Sequence, residues 1–263
     1  MSTRLVLLLL ALAASLPVRA QTLAAVPGGE AASSASARPA EPDTAPVYYA
    51  VRNAARVHVR PDSTSASASR LAFREGVRVL EEEGGWSLIQ QGRVRGYVRS
   101  DALSNVWLRV DKSDRLVYVY RGAELIRTFP ADVSTSDEDK ERRSRLGERD
   151  HYRIPEGVYF ICRKNARSQY YRAFVLNYPN QEDGARGLRN GLITAEEYAE
   201  IVKADLFFQE PPMGTALGGL IEIHGSGSGR QRRWTRGCVA LRNVHMDELW
   251  EIVEVGTPVV IEP

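Results

Sequence analysis

The sequence predicts a mainly β chain in two folded parts: a small barrel over residues 47–104, then a larger β domain with a few helices over residues 105–263. Three observations carry this. From Val47 to Leu103 short alternating runs are broken at Glu75-Gly76, Gly84-Gly85 and Gly92, a spacing that suits a small barrel. Beyond Asn105 the alternation lengthens, in VWLRVD and LVYVYR. Only two later stretches repeat apolar residues at helical spacing.

The ends of this pattern are set by composition. MSTRLVLLLLALAASLPVRA has one early base, Arg4, an apolar run from Leu5 to Leu16, and Val18 and Ala20 three and one residues before Gln21. That order predicts a cleaved secretion signal over 1–20, because the run is too short to span a bilayer comfortably. No cysteine follows it to carry a lipid, and no later segment is apolar enough to cross a membrane. Residues 21–46 are rich in Ala, Ser, Pro and Glu without hydrophobic period, which predicts a disordered linker. The formal charge is +2, and both excess positives, Arg4 and Arg19, lie in the signal. A neutral chain has no bulk field to grip nucleic acid or anionic lipid.

In the first part, ARVHVRPDS is a strand running into a Pro-Asp turn, and LAFREGVRVLEEEGGWSLIQQGRVRGYVRSDAL gives three more strands. The carriers VHVRPDS, FREGVRVLEEEGGWSLIQ and GRVRGYVRSDAL resemble a bacterial SH3 domain, with Tyr97 where that family often has tryptophan. The resemblance implies either a wall-peptide binder or a spacer packed on a catalytic partner.

In the second part, VWLRVDKSDRLVYVYRGAELIRTF reads as three strands joined by turns at Lys112-Ser113-Asp114 and Arg121-Gly122. A charged stretch from Ser134 to His151 reads as a solvated loop or a functional flap. IPEGVYFICRKN and AFVLNYP supply two strands. Thr194 and Glu197 have capping-box spacing and open a helix to Lys203 inside a long segment, Asn180–Leu217, which reads as a lid or an insertion. Asn243 is expected to cap VHMDELWEIV, whose Met246, Leu249, Trp250 and Val253 share a face. PVVI is a last strand after Gly256.

Chemistry concentrates in GLIEIHGSGSGRQRRWTRGCVALRN. Strand alternation puts Ile221 and Ile223 on one face and Glu222 and His224 on the other, so His224 is expected to face an open side. Glycines at 225, 227 and 229 let the backbone turn sharply beside a ligand. Gly237 precedes Cys238, where a bend can aim N–H groups at a developing oxyanion. A cysteine nucleophile needs a base or positive surroundings, which His224 and Arg232, Arg233 and Arg236 could supply. By these residues alone, a buried structural thiol and a packed histidine remain open. Cys162, inside a strand, reads as a packed thiol, with a redox partner for Cys238 as the other reading. His58, His151 and His245 fall in unrelated segments, and no close ligand spacing joins the four histidines and two cysteines, so no metal or cofactor is expected.

The order His224-Gly225, a glycine-rich gap, then Thr235-Arg236-Gly237-Cys238-Val239 resembles the YkuD-type L,D-transpeptidase motif, over about Val106 to Ile261. The resemblance implies a YkuD-type β-sandwich and a cysteine enzyme acting on peptidoglycan stem peptides in the periplasm or cell wall. It implies Cys238 as nucleophile, His224 as base, the Gly225 carbonyl as the imidazole's anchor, and the N–H groups of Gly237 and Cys238 as oxyanion donors. Trp234, Thr235 and Arg236 are candidates to line the donor site. CVALRN, with Ala240 where arginine is frequent, also resembles a YafK-like sub-branch associated with murein hydrolysis and release of a wall-attached protein. Three outcomes follow: transfer to an amine, hydrolysis as a carboxypeptidase or amidase, or a non-catalytic wall-binding protein.

Overall fold

The computed structural model describes residues 44–145, 148 and 151–263. The expected signal and nearly all of the expected linker lie outside the described residues. Among the described residues the first strand is Val47–Ala50 (β1).

β1 joins Ala55–His58 (β2), Ser67–Leu71 (β3), Gly76–Glu83 (β4), Trp86–Gln91 (β5), Val94–Arg99 (β6) and Leu103–Ser104 (β7) in one antiparallel sheet of order β3-β2-β6-β5-β4-β1-β7. Its apolar positions divide between two clusters. Val57, Leu71, Val77, Val79, Ile89 and Val98 form one, and Leu80 and Leu88 join Ala45 in the other. The turns predicted at Gly84-Gly85 and Gly92 connect β4 to β5 and β5 to β6, and all three glycines have positive φ.

The second part opens with Val106–Asp111 (β8), Leu116–Arg121 (β9) and Glu124–Pro130 (β10), the predicted meander. Its alternation is read directly in burial: Val106, Leu108, Val110, Val117 and Val119 point inward, and the residues between them are more exposed. Val133–Ser134 (β11), Gly157–Ser168 (β12) and Tyr171–Leu176 (β13) follow. Glu222–His224 (β14), Arg233–Thr235 (β15), Val239–Ala240 (β16) and Pro258–Glu262 (β17) complete the strands. The main sheet runs β10-β9-β8-β17-β12-β13-β14-β16, and β11 pairs with β15 separately. The helix Asn243–Ile252 (α3) presses Met246 and Leu249 into the core this sheet covers, and stacks Trp250 on Phe174 at 5.3 Å.

Two expectations are corrected. The segment after Asn180 holds two helices, Gln181–Arg189 (α1) and Ala195–Leu206 (α2). α1 is polar and carries two glycines, so its sequence lacks an apolar stripe; the glycines are there for contact. A Cβ on Gly184 would lie 2.9 Å from the Tyr198 ring, and one on Gly187 2.7 Å from Leu217. The Thr194–Glu197 capping box forms as predicted, and a second joins Asn180 to Asp183. Asn243 does not cap α3. Arg242 holds the cap position without a side-chain bond, and Asn243 Oδ1 accepts from Ser226 N at 2.7 Å instead.

The charged loop after β11 is tied down along its first half. Lys112, 1% exposed, donates to Asp137 O at 2.7 Å and to Glu156 at 2.6 Å. Arg153 pairs with Glu138 and Arg233 with Asp137. Glu156 N donates to Asp139 at 2.8 Å, and Arg186 pairs with the same carboxylate at 3.0 Å. Arg143 N donates to Ala216 O at 2.7 Å. No helix among the described residues is long and apolar enough to cross a membrane.

The helical pair rests on a small cluster of its own, Ile193, Ile201 and Leu217. Ile201 is fully buried there. Ile201→Ala is expected to cost about 2–5 kcal/mol in urea unfolding, the usual range for emptying such a site.

Candidate active site

β14 and β16 run parallel with Ile223 beside Val239 and His224 beside Ala240. Continued back by one residue, that register sets Cys238 beside Glu222. Ile221, Ile223, Val239 and Leu241 fill the core, and Glu222, His224 and Cys238 share the opposite face. That face is not open at the histidine. His224 is 2% exposed, with Tyr170 stacked on it at 4.4 Å and the edge of Trp234 at 6.2 Å. The alternation identified the face, but nothing local to β14 announces the aromatic rings that cover it.

His224 Nδ1 lies 2.7 Å from Gly225 O. A carbonyl only accepts, so Nδ1 carries the hydrogen and Nε2 is left as the basic nitrogen. Burial lowers the imidazole pKa, and the bond to Gly225 opposes this without reversing it. The resting ring is therefore neutral near pH 7. Cys238 is half-buried, and its Sγ donates to Leu220 O at 3.5 Å. Burial pushes its thiol up to about 12, with the Glu222 carboxylate acting in the same direction and Lys140 against it. The resting site thus holds a neutral thiol and a neutral imidazole. Arg232 and Arg236 are exposed, Arg236 over the Tyr152 ring at 5.4 Å, and Arg233 pairs with Asp137. The cation acting on the thiol is Lys140, which the sequence hid inside a charged loop.

The segment between the two residues is shaped by close approaches. A Cβ on Gly227 would lie 2.6 Å from the Ala240 carbonyl, and one on Gly225 2.7 Å from Asn243 Oδ1. Gly237 has φ +130° and a Cβ there would meet Arg153 O at 2.8 Å, so only glycine turns the chain this way into Cys238. Thr235, 2% exposed, donates to Cys238 O at 2.6 Å. That bond ties the start of the turn to Cys238. Trp234 is 42% exposed and stands at the site's edge.

One buried carboxylate organises all of this. Asp132 exchanges backbone bonds with Ala240 at 2.8 and 2.9 Å. Its side chain, wholly buried, accepts from Ser228 N and Oγ, both at 2.7 Å, from Arg232 N at 2.9 Å and from Trp234 Nε1 at 2.8 Å. Burial alone would raise its pKa, but these donors outweigh it and hold the carboxyl below its ordinary range. Asp132, Lys140 and Tyr170 were not identified from sequence, because each comes to the site through a contact distant along the chain.

The family model for YkuD, the L,D-transpeptidase catalytic domain, matches residues 105–261. The chain belongs to that family. Among solved structures, Bd1075 of Bdellovibrio bacteriovorus is 25% identical over 62% of this chain and 49% of that one, with a TM-score of 0.41. The helical cell shape determining protein Pgp2 of Campylobacter jejuni is 22% identical over 60% and 46%, at 0.39. An L,D-transpeptidase of Xylanimonas cellulosilytica is 16% identical over 60% and 61%, at 0.37. The match thus spans about half to three fifths of these solved chains. No curated protein matches the chain.

Two outcomes follow from the geometry. Asp132→Ala strands the Trp234 N–H and two backbone N–H groups, and is expected to cost at least about 3 kcal/mol in urea unfolding. In the parent, this carboxylate's stabilisation is complete above the ordinary carboxylate range and is lost as pH falls through the lowered pKa. Secondly, the rate of Cys238 alkylation by iodoacetamide is expected to climb from pH 7 through 10. A preformed thiolate–imidazolium pair would instead give a plateau near neutrality.

Proposed function

We propose that this protein is an exported peptidoglycan L,D-transpeptidase with Cys238 as nucleophile and His224 as general base. The observation that carries the reading is the 2.7 Å bond from His224 Nδ1 to Gly225 O, on the same face as the thiol. It fixes the tautomer in which Nε2 can take a proton. Family membership supplies the reaction class.

The substrate is a wall stem peptide, cut at the bond from the L-centre of a diamino acid to a terminal D-alanine. Cys238 gives its proton to His224 Nε2 as sulfur attacks the scissile carbonyl carbon. The tetrahedral oxyanion is received by the N–H groups of Gly237 and Cys238, which donate to no other group among the described residues. Collapse breaks the C–N bond, and the imidazolium returns its proton to the departing amine of D-alanine. A thioester on Cys238 remains. The amine of a second stem attacks it, His224 accepts that amine's proton, and the thiol is restored as the cross-link forms. Water in the amine's place gives hydrolysis. Because burial favours the neutral thiol at rest, His224 has to take its proton for sulfur to attack.

The domain division 47–104 and 105–263 belongs to this reading, with the first part an SH3-like module. Its own core and its contacts with the second part support that: Tyr49 donates to Val106 O at 2.5 Å, and Arg74 lies over the Phe160 ring at 4.6 Å. The signal-like start of the sequence supports export.

Incubation of residues 21–263 with disaccharide-tetrapeptide is expected to give dimers and amine-exchange products by mass spectrometry, absent with Cys238→Ala. Shortened peptides alone would assign water as the acceptor, and identical products from both proteins would remove Cys238 from the chemistry.

A further inference from the structure

Two lysines are buried in this protein, and they differ in kind. Lys112 is fully used: its ammonium donates to Asp137 O and to the Glu156 carboxylate, and it anchors the loop to the turn before β12. Lys140, 4% exposed, has no ion pair among the described residues. Its Nζ makes one long bond, 3.3 Å to Arg142 O, and otherwise lies 6.0 Å from the centre of the Tyr178 ring. An ammonium has three donors, and burying it without a counter-charge is unfavourable.

The surroundings add positive charge. Arg143 and Arg153 act on Lys140 with the same sign, and of the groups opposing them Asp183 is already occupied. It accepts from Arg186 at 2.8 Å, Tyr159 at 3.1 Å and Asn180 N at 3.1 Å. The other opposing group is Cys238, whose thiol is neutral at rest. Lys140 and Cys238 converge on one short segment: the Tyr178 ring under the ammonium bonds Leu217 O, and the thiol bonds Leu220 O. A buried cation short of an anion therefore sits within electrostatic reach of the nucleophile.

We propose that Lys140 is a carboxylate-binding residue of the active site, its buried ammonium receiving the free carboxylate of the residue that acyl transfer expels. This rests on the functional reading above. In a stem ending in D-alanine, the terminal carboxylate is separated from the scissile carbonyl carbon only by the amide nitrogen and one Cα. That carboxylate therefore enters the site together with the scissile carbonyl, within the electrostatic reach of Lys140. An internal peptide bond offers no carboxylate there and leaves the ammonium buried and unmatched. The site accordingly selects chain ends, and the selection is made on the leaving side of the bond.

The test compares kcat/KM for a disaccharide-tetrapeptide ending in a free carboxylate with the same molecule ending in a carboxamide. The full exported chain, Lys140→Met and Lys140→Arg are each assayed. The parent is expected to prefer the carboxylate by about 10- to 100-fold, the range of one charge-assisted contact. In Lys140→Met the preference falls below about threefold with carboxamide turnover retained, and Lys140→Arg keeps part of it. A measurement on the parent alone covers failure of a variant to fold. The preference is expected to fade as pH rises through about 8, where Lys140 loses its proton, because the neutral amine no longer attracts the carboxylate. A preference unchanged in Lys140→Met, or unchanged across that pH range in the parent, overturns the proposal. So does an equal loss on both peptides with a shifted pH profile of Cys238 alkylation, which would make Lys140 a partner of the thiol alone. Absence of turnover of either peptide by the parent would instead bring down the functional reading, and this proposal with it.

Discussion

The buried carboxylate of Asp132 is the interaction on which the site depends. The segment from Gly225 to Gly237 opens on three alternating glycines, and a free chain of that composition has many conformations to lose. Asp132 restricts it at three separate points, Ser228, Arg232 and Trp234, while its own backbone is bonded to Ala240, two residues past Cys238. One residue thereby fixes the loop that leaves the histidine and the strand that carries the cysteine. The geometry is self-consistent: the carboxylate can be buried because it is fully satisfied, and the donors can be buried because it is there.

The same enclosure sets the state of His224 and Cys238. His224 is enclosed by Tyr170 and Trp234, and Trp234 is oriented by its bond to Asp132. Enclosure disfavours the imidazolium, and burial disfavours the thiolate. A pair held neutral in this way is a weak nucleophile until an electrophile is positioned.

Regular elements were legible where one face is buried and the period is clean. β8 and β9 read correctly because Val106, Leu108, Val110, Val117 and Val119 alternate without a break. The segment joining His224 to Cys238 stood out in sequence by its glycines, and Gly237 does adopt a backbone few other residues tolerate. α1 was not, since its helix is held by a capping box and by glycine contacts with Tyr198 and Leu217, neither of which makes a hydrophobic period. Asn243 misled for a related reason: its type suits a cap, yet the neighbouring histidine loop offers Ser226 N as a better partner. Asp132 and Lys140 look in sequence like ordinary loop charges. Only the fold distinguishes a charge that is solvated from one that is enclosed.

That distinction bears on the charged loop after β11. By composition it is a solvated segment, and a loop so rich in charge has no apolar surface with which to pack. Its order comes from bonds across the chain: the Asp137 carbonyl accepts from Lys112, and the side chains of Asp137, Glu138 and Asp139 pair with Arg233, Arg153 and Arg186 in turn. Successive acids are bound to different elements, so the segment cannot slide without breaking several bonds together. Most of these pairs are partly exposed, where each contributes little alone and is weakened by salt. Lys112 is the exception, because it is buried. The loop is therefore held by one strong anchor and a set of weak, cooperating ones, and Lys140 stands immediately beyond the last of them. The frame of ion pairs thereby fixes the segment that leads into Lys140, with the hydrophobic core supporting the strands behind it.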